Sequence, residues 1–135
     1  EIANASTQYE QVLASIPDNF VATNNLASNY FTTGDARAEA LARRAYELRP
    51  DSSAVVDTLG WILVKKGGIE EGVALLRKAA DLEDATPDVR YHLAAALAES
   101  GEKDEAKSIL AELLESEQPF PSKDAAESLL AELTP

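Results

Sequence analysis

An all-α fold, a right-handed solenoid of about eight helices arranged as antiparallel hairpins, is what this sequence predicts. Three observations carry the prediction. Glycines 34, 67 and 101 follow helix-like runs at spacings of 33 and 34 residues. A leucine stands eight residues before each of them, as Leu26, Leu59 and Leu93. Apolar residues recur at three- and four-residue steps, and no stretch alternates with the period of two that a half-buried strand needs. A fixed period of this length marks a repeat architecture, in which one unit stacks on the next.

Each element follows from its own pattern. In 1–16, Ala5, Tyr9 and Leu13 share one face, and Pro17 ends the run. In 19–33, Leu26 and Tyr30 define the core side, and Thr33-Gly34-Asp35 breaks the helix. In 35–49, Ala38 and Ala45 stand seven apart before Pro50. In 53–66, Val56, Leu59, Gly60 and Leu63 line up, and Gly67-Gly68 closes. Ile69, Val73, Leu76 and Ala79 do the same in 69–83, and Val89, Leu93 and Leu97 in 87–100. Ala106, Ile109, Leu110 and Leu113 mark 102–117, and Leu129, Leu130 and Leu133 mark 122–133. Glycine at the breaks within a pair supplies the left-handed cap that ends a helix. Proline at the breaks between pairs (Pro17, Pro50, Pro87) cannot continue a helix but suits the first turn of the next. Short connections make neighbours antiparallel.

These residues resemble the tetratricopeptide repeat family. Leu59-Gly60 with Gly67 fits its unit, although Gly72 and Asp84 replace the usual alanine and proline. Leu93-Ala94, Gly101 and Ala106 fit next, with Gln118-Pro119 near the close, and Leu26-Ala27, Tyr30, Gly34, Ala38, Ala45 and Pro50 make another unit. The resemblance implies a single domain over 1–135. Its repeats are 18–50, 51–86 and 87–118; 1–17 is the second helix of a truncated repeat, and 119–135 is a capping helix. It also implies the C-terminal part of a longer array, with the apolar side of 1–16 left uncovered. Asp57-Thr58-Leu59-Gly60-Trp61 and Arg90-Tyr91-His92-Leu93 are similar to bacterial cell-envelope lipoproteins of the family found at exopolysaccharide and protein-sorting loci. That likeness points to the periplasm or cell envelope, with the cytoplasm as the alternative.

In the family, the first helix of each hairpin lines a concave groove. A wheel of about 100° per residue, with the core side fixed as above, leaves a second face on each first helix. The expected groove floor is Asn24, Ser28, Phe31, Asp57, Trp61, Val64, Tyr91 and Ala95. Aromatic rings give contact area at low entropy cost, and amides can hydrogen-bond an extended backbone. The implied role is a scaffold for a protein or peptide segment. The alternative is a structural segment that caps or self-associates, as a homodimer through the N-terminal helix. The basic residues that relatives use to grip a C-terminal carboxylate are missing, because Asp57 and Tyr91 stand in their place. Asp57, Asp88 and Glu99 favour a neutral or basic partner instead.

Composition narrows the rest. The net charge is −12, and residues 101–135 hold nine acids against three lysines, so nucleic acid and anionic lipid are poor partners. No apolar run approaches the roughly 20 residues that span a bilayer, so membrane insertion by this segment is not expected. There are no cysteines, hence no thiolate chemistry. The single histidine, His92, would need Asp57 or Asp88 as orienter and Ser28 as nucleophile, but no nucleophile elbow surrounds them. No metal-binding or phosphate-cradling spacing occurs. The expectation is no catalysis, no metal and no cofactor.

Overall fold

The computed structural model covers residues 1–135. It contains eight helices: α1 (Ile2–Ser15), α2 (Phe20–Thr33), α3 (Ala38–Leu48), α4 (Ser53–Lys65), α5 (Ile69–Asp81), α6 (Pro87–Glu99), α7 (Lys103–Glu115) and α8 (Lys123–Leu133). There are no strands. Each helix packs on its sequence neighbour, and α2, α4, α6 and α8 also touch one another in that order. Helices α1 and α8 do not meet, so the array is an open stack and not a closed bundle.

The three spaced glycines do the same job. Gly34, Gly67 and Gly101 have φ values of 79°, 96° and 94°. The residue after each donates its N–H to the carbonyl of the core residue four positions before the glycine: Asp35 to Tyr30, Gly68 to Leu63 and Glu102 to Leu97, each at 2.8 Å. This six-to-one bond ends a helix with a left-handed residue, a conformation that costs any residue with a Cβ about 1–2 kcal/mol.

The connections between hairpins differ in detail. Pro87 opens α6, as expected for a proline in a first turn. Pro17 and Pro50 instead lie in the turns ahead of α2 and α4, whose starts are capped by side chains. Asn19 Oδ1 accepts from the Ala22 N–H at 3.0 Å, and Ser52 Oγ from the Val55 N–H at 3.4 Å. Helix α3 starts at Ala38, three residues later than its periodicity suggests. Asp35 holds the chain in a turn there by accepting both the N–H and the guanidinium of Arg37.

Helix α4 is the centre of the stack. Eight of its thirteen residues are buried, against none in α1. Leu59, Ile62 and Leu63 pack with Leu26, Ala27 and Tyr30 of α2 and Ala38 and Ala42 of α3. Val64 joins Leu76, Leu93, Leu97, Leu110 and Leu113 in a second cluster. Each fully buried leucine contributes about 1.5–3 kcal/mol. Two glycines bring α4 and α5 close together. A Cβ on Gly60 would stand 3.1 Å from the Gly72 carbonyl, and one on Gly72 would stand 2.8 Å from the Gly60 carbonyl and 2.9 Å from the Val64 nitrogen.

Along the second helices, ion pairs repeat in register. Arg43 on α3 reaches Glu71 on α5 at 3.2 Å, and Arg77 on α5 reaches Glu105 on α7 at 2.6 Å. Donor and acceptor are each displaced by one repeat from the first pair to the second.

Candidate functional site

The predicted floor residues belong to α2, α4 and α6, helices that touch one another in that order. Leucines 26, 59 and 93 occupy equivalent places in the three hairpins, and on that register the floor falls into columns. Asn24, Asp57 and Tyr91 form one, and Ser28, Trp61 and Ala95 another.

The second column and its neighbours form the best-defined feature. Trp61 and His92 stack with ring centroids 4.2 Å apart and planes 23° from parallel. The Lys65 ammonium lies 4.4 Å from the Trp61 ring centroid. The indole thus has both an imidazole ring and an ammonium against it. Tyr91 sits beside His92 in a tilted arrangement, centroids 5.7 Å apart. Lys65 also pairs with Glu99 at 3.3 Å.

Beneath the stack, His92 Nδ1 lies 2.7 Å from Asp57 Oδ1, with only 15% of the Asp57 side chain exposed. Burial raises the Asp57 pKa above the ordinary carboxyl range, and the bond to His92 opposes that rise only in part. When Asp57 is ionised, Nδ1 carries the proton and donates it. This fixes the ring that supports Trp61. The tyrosine hydroxyl of Tyr91 is likewise pushed up, first by burial and then by the charge of Glu132.

A recess of about 500 Å³ opens against Trp61 and Tyr91. Ala95, Ala98 and Glu99 of α6 line it with Lys65 of α4 and Lys103 of α7, and α8 closes it with Leu129, Glu132 and Leu133. The contribution of α8 goes beyond the solvating cap that its sequence suggests. Its signal was the same apolar side, Leu129 and Leu133. The position of Lys65 was also readable, because residues four apart on a helix are neighbours.

Two predicted floor residues require correction. Val64 is only 3% exposed and packs inward, filling the space that a side chain on Gly72 would need. It belongs to the hairpin interior. Asn24 is 8% exposed, and its carboxamide oxygen is buried with no hydrogen-bond partner. It lies beneath the surface. Ser28 is exposed, while Phe31, Asp57, Trp61, Tyr91 and Ala95 are half-buried. Phe31 packs against the α2–α3 core and does not line the recess. Asp57, Asp88 and Glu99 each have an internal partner: His92, Ser122 and Lys65.

Comparison with known proteins agrees with this architecture. Residues 63–133, more than half of the chain, match the family model described as tetratricopeptide repeat. A TPR repeat-containing protein of Pseudomonas aeruginosa is 32% identical over 81 residues, which are 58% of this chain and 14% of that protein. The chain therefore spans about one seventh of the length of that relative. Among solved structures, a thermophilic TPR protein of Thermus thermophilus superposes with a TM-score of 0.79 at 22% identity, covering 98% of this chain and 72% of that one. MamA superposes at 0.77 with 20% identity, covering 98% and 76%. YrrB, described as a TPR protein with an unusual peptide-binding site, superposes at 0.72 with 21% identity, covering 98% and 68%.

Proposed function

The chain belongs to the tetratricopeptide repeat family, and from that premise we propose that it is a scaffold, without catalysis of its own, that holds a neutral or basic protein or peptide segment along the row α2, α4, α6. The observation that carries this reading is the recess at Trp61 and Tyr91. It combines aromatic area, a ring fixed by stacking and hydrogen bonding, and a few charged groups at its rim, the combination that binding sites use. Ala95 lines the recess, and Ser28 is exposed at the equivalent position of α2. On this reading residues 18–50, 51–86 and 87–118 are the repeats, and 1–17 and 119–135 flank them.

The test is selection of a displayed peptide library on the immobilised chain, run in parallel on a Trp61→Ala, Tyr91→Ala double variant. Enriched sequences that bind only the parent support the groove. Equal binding to both overturns it, and so does tight selection of acidic C-termini.

A second reading has its own observation. Helix α1 buries none of its residues, and Ile2, Val12 and Ile16 are 43%, 36% and 55% exposed, with Val21 of α2 at 52%. Self-association through this face gives a dimer. Size-exclusion chromatography of a Val12→Lys, Ile16→Lys variant decides it, since a dimer that persists in the variant does not use this face. Tyr9 is a poorer probe, because its hydroxyl receives a hydrogen bond from Asn25 at 3.3 Å and helps hold α1 to α2.

A further inference from the structure

We propose that the recess beside Trp61 receives an arginine side chain of the partner segment, in the place that Lys65 now occupies over the indole. This rests on the groove reading above and specifies the chemistry of its anchor.

The chain itself shows what the site accepts. A cation already lies against the Trp61 ring, 4.4 Å from the ring centroid, and it is neutralised by Glu99 at 3.3 Å. That cation belongs to a flexible side chain that is 38% exposed, paired with a carboxylate that is 45% exposed. Exposed pairs of this kind hold weakly, so an incoming cation can take the place. The receptor, by contrast, is rigid. His92 stacks on the indole and is itself tied to the buried Asp57.

Arginine fits better than the resident lysine. Its planar guanidinium stacks on an indole and presents several donors at once, whereas an ammonium is a compact, strongly hydrated charge. The stem finds apolar walls in Leu129 and Leu133 of α8. Glu132, on the same helix, faces Tyr91 and has no ion-pair partner. Once Lys65 is displaced, Glu99 and Glu132 outnumber Lys103 at the recess. The overall charge of −12 draws a basic segment toward the surface.

The experiment follows the indole N–H resonance of Trp61, the single tryptophan, in the ¹⁵N-labelled chain. It is titrated with millimolar Ac-Ala-Leu-Arg-Leu-Ala-NH2 and with the same peptide carrying citrulline, which keeps the shape and removes the charge. The arginine peptide is expected to give a saturable shift, with citrulline about tenfold weaker. Lys65→Ala, which removes the internal competitor at an exposed position, tightens the arginine peptide severalfold. Glu132→Gln weakens it. Equal binding of the two peptides, or no tightening in Lys65→Ala, overturns the arginine anchor and leaves the groove standing. Absence of any shift with either peptide, in the parent and in Lys65→Ala, also overturns it; the groove is then judged by the library selection alone.

Discussion

His92 lies flat against Trp61, and its ring is anchored from below by the Asp57 carboxylate at 2.7 Å. The pair joins α4 to α6, two helices that are not hydrogen-bonded to one another through their backbones. It therefore serves two ends at once: it stitches adjacent hairpins together and holds the indole in a fixed plane at the edge of the recess.

The stack should be measurable as a coupling energy. Aromatic pairs contribute about 0.5–1.5 kcal/mol beyond the area they bury. A double-mutant cycle of Trp61→Ala and His92→Ala, followed by urea unfolding, is expected to return a coupling in that range. A coupling near zero would mean that the rings are merely adjacent.

Gly72 is expected to resist alanine. In a helix, Ala is favoured over Gly by about 1 kcal/mol, so an open site would gain from the change. At this site the new methyl would press on Val64 and on two backbone atoms, the Gly60 carbonyl and the Val64 nitrogen. Backbone cannot move aside without parting α4 from α5, and overpacking of this kind costs about 1–3 kcal/mol. Gly72→Ala should therefore destabilise the chain. In a Val64→Ala background the loss should shrink by about 1 kcal/mol but not vanish, because the backbone contacts stay. A Gly72→Ala variant as stable as the parent would show that the two helices are not held so closely.

The same pair of residues explains what the sequence could and could not show. Helix existence and order were legible because each helix end is a local matter, decided by Gly34, Gly67, Gly101 and the prolines. The family was legible for the same reason, since its signature is those punctuations in phase. The face of Val64 was not legible. A wheel drawn on α4 alone places it away from Leu59 and Leu63, and only the missing side chain of Gly72 lets α5 approach from that side. Nor was the burial of Asn24 legible, since a polar residue off the core side of its own helix carries no sign of it. The start of α3 shifted because the Asp35–Arg37 turn competed with the helix for the same residues. That Trp61 and Tyr91 lie off the core side was legible from periodicity, but the wall that α8 adds to their recess depends on how the chain returns after Pro121.

The repeating ion pairs are expected to matter little. Arg43, Glu71, Arg77 and Glu105 are 43%, 56%, 47% and 41% exposed. Exposed pairs contribute about 0–1 kcal/mol and are screened by salt. Arg77→Ala should lower stability by less than about 1 kcal/mol at low salt, and the difference should fade at about 1 M NaCl. A larger, salt-independent loss in urea unfolding would point to packing by the arginine stem instead.

Acid should act on the chain through carboxyl groups that pull in opposite directions. Arg37 holds Asp35 down at about 2, through hydrogen bonds from its side chain and then its backbone. Lys66 and then Arg43 lower Glu39, and Arg77 lowers Glu105. A group lowered in the folded chain stabilises it above the unfolded value, near about 4, and that benefit is lost as pH falls through the folded value. Asp57 is the opposite case. Burial raises it, so the folded chain takes up its proton before the unfolded chain does, and the fold gains from this group as pH falls. The parent should thus lose stability from about pH 5 downward, and Asp57→Asn, which lacks the one offsetting group, should lose it more steeply. Thermal melts of both proteins from about pH 7 to pH 2 test this. If the difference in Tm between Asp57→Asn and parent stays constant across that range, Asp57 does not titrate differently in the folded chain, and the hydrogen bond to His92 cancels the effect of its burial.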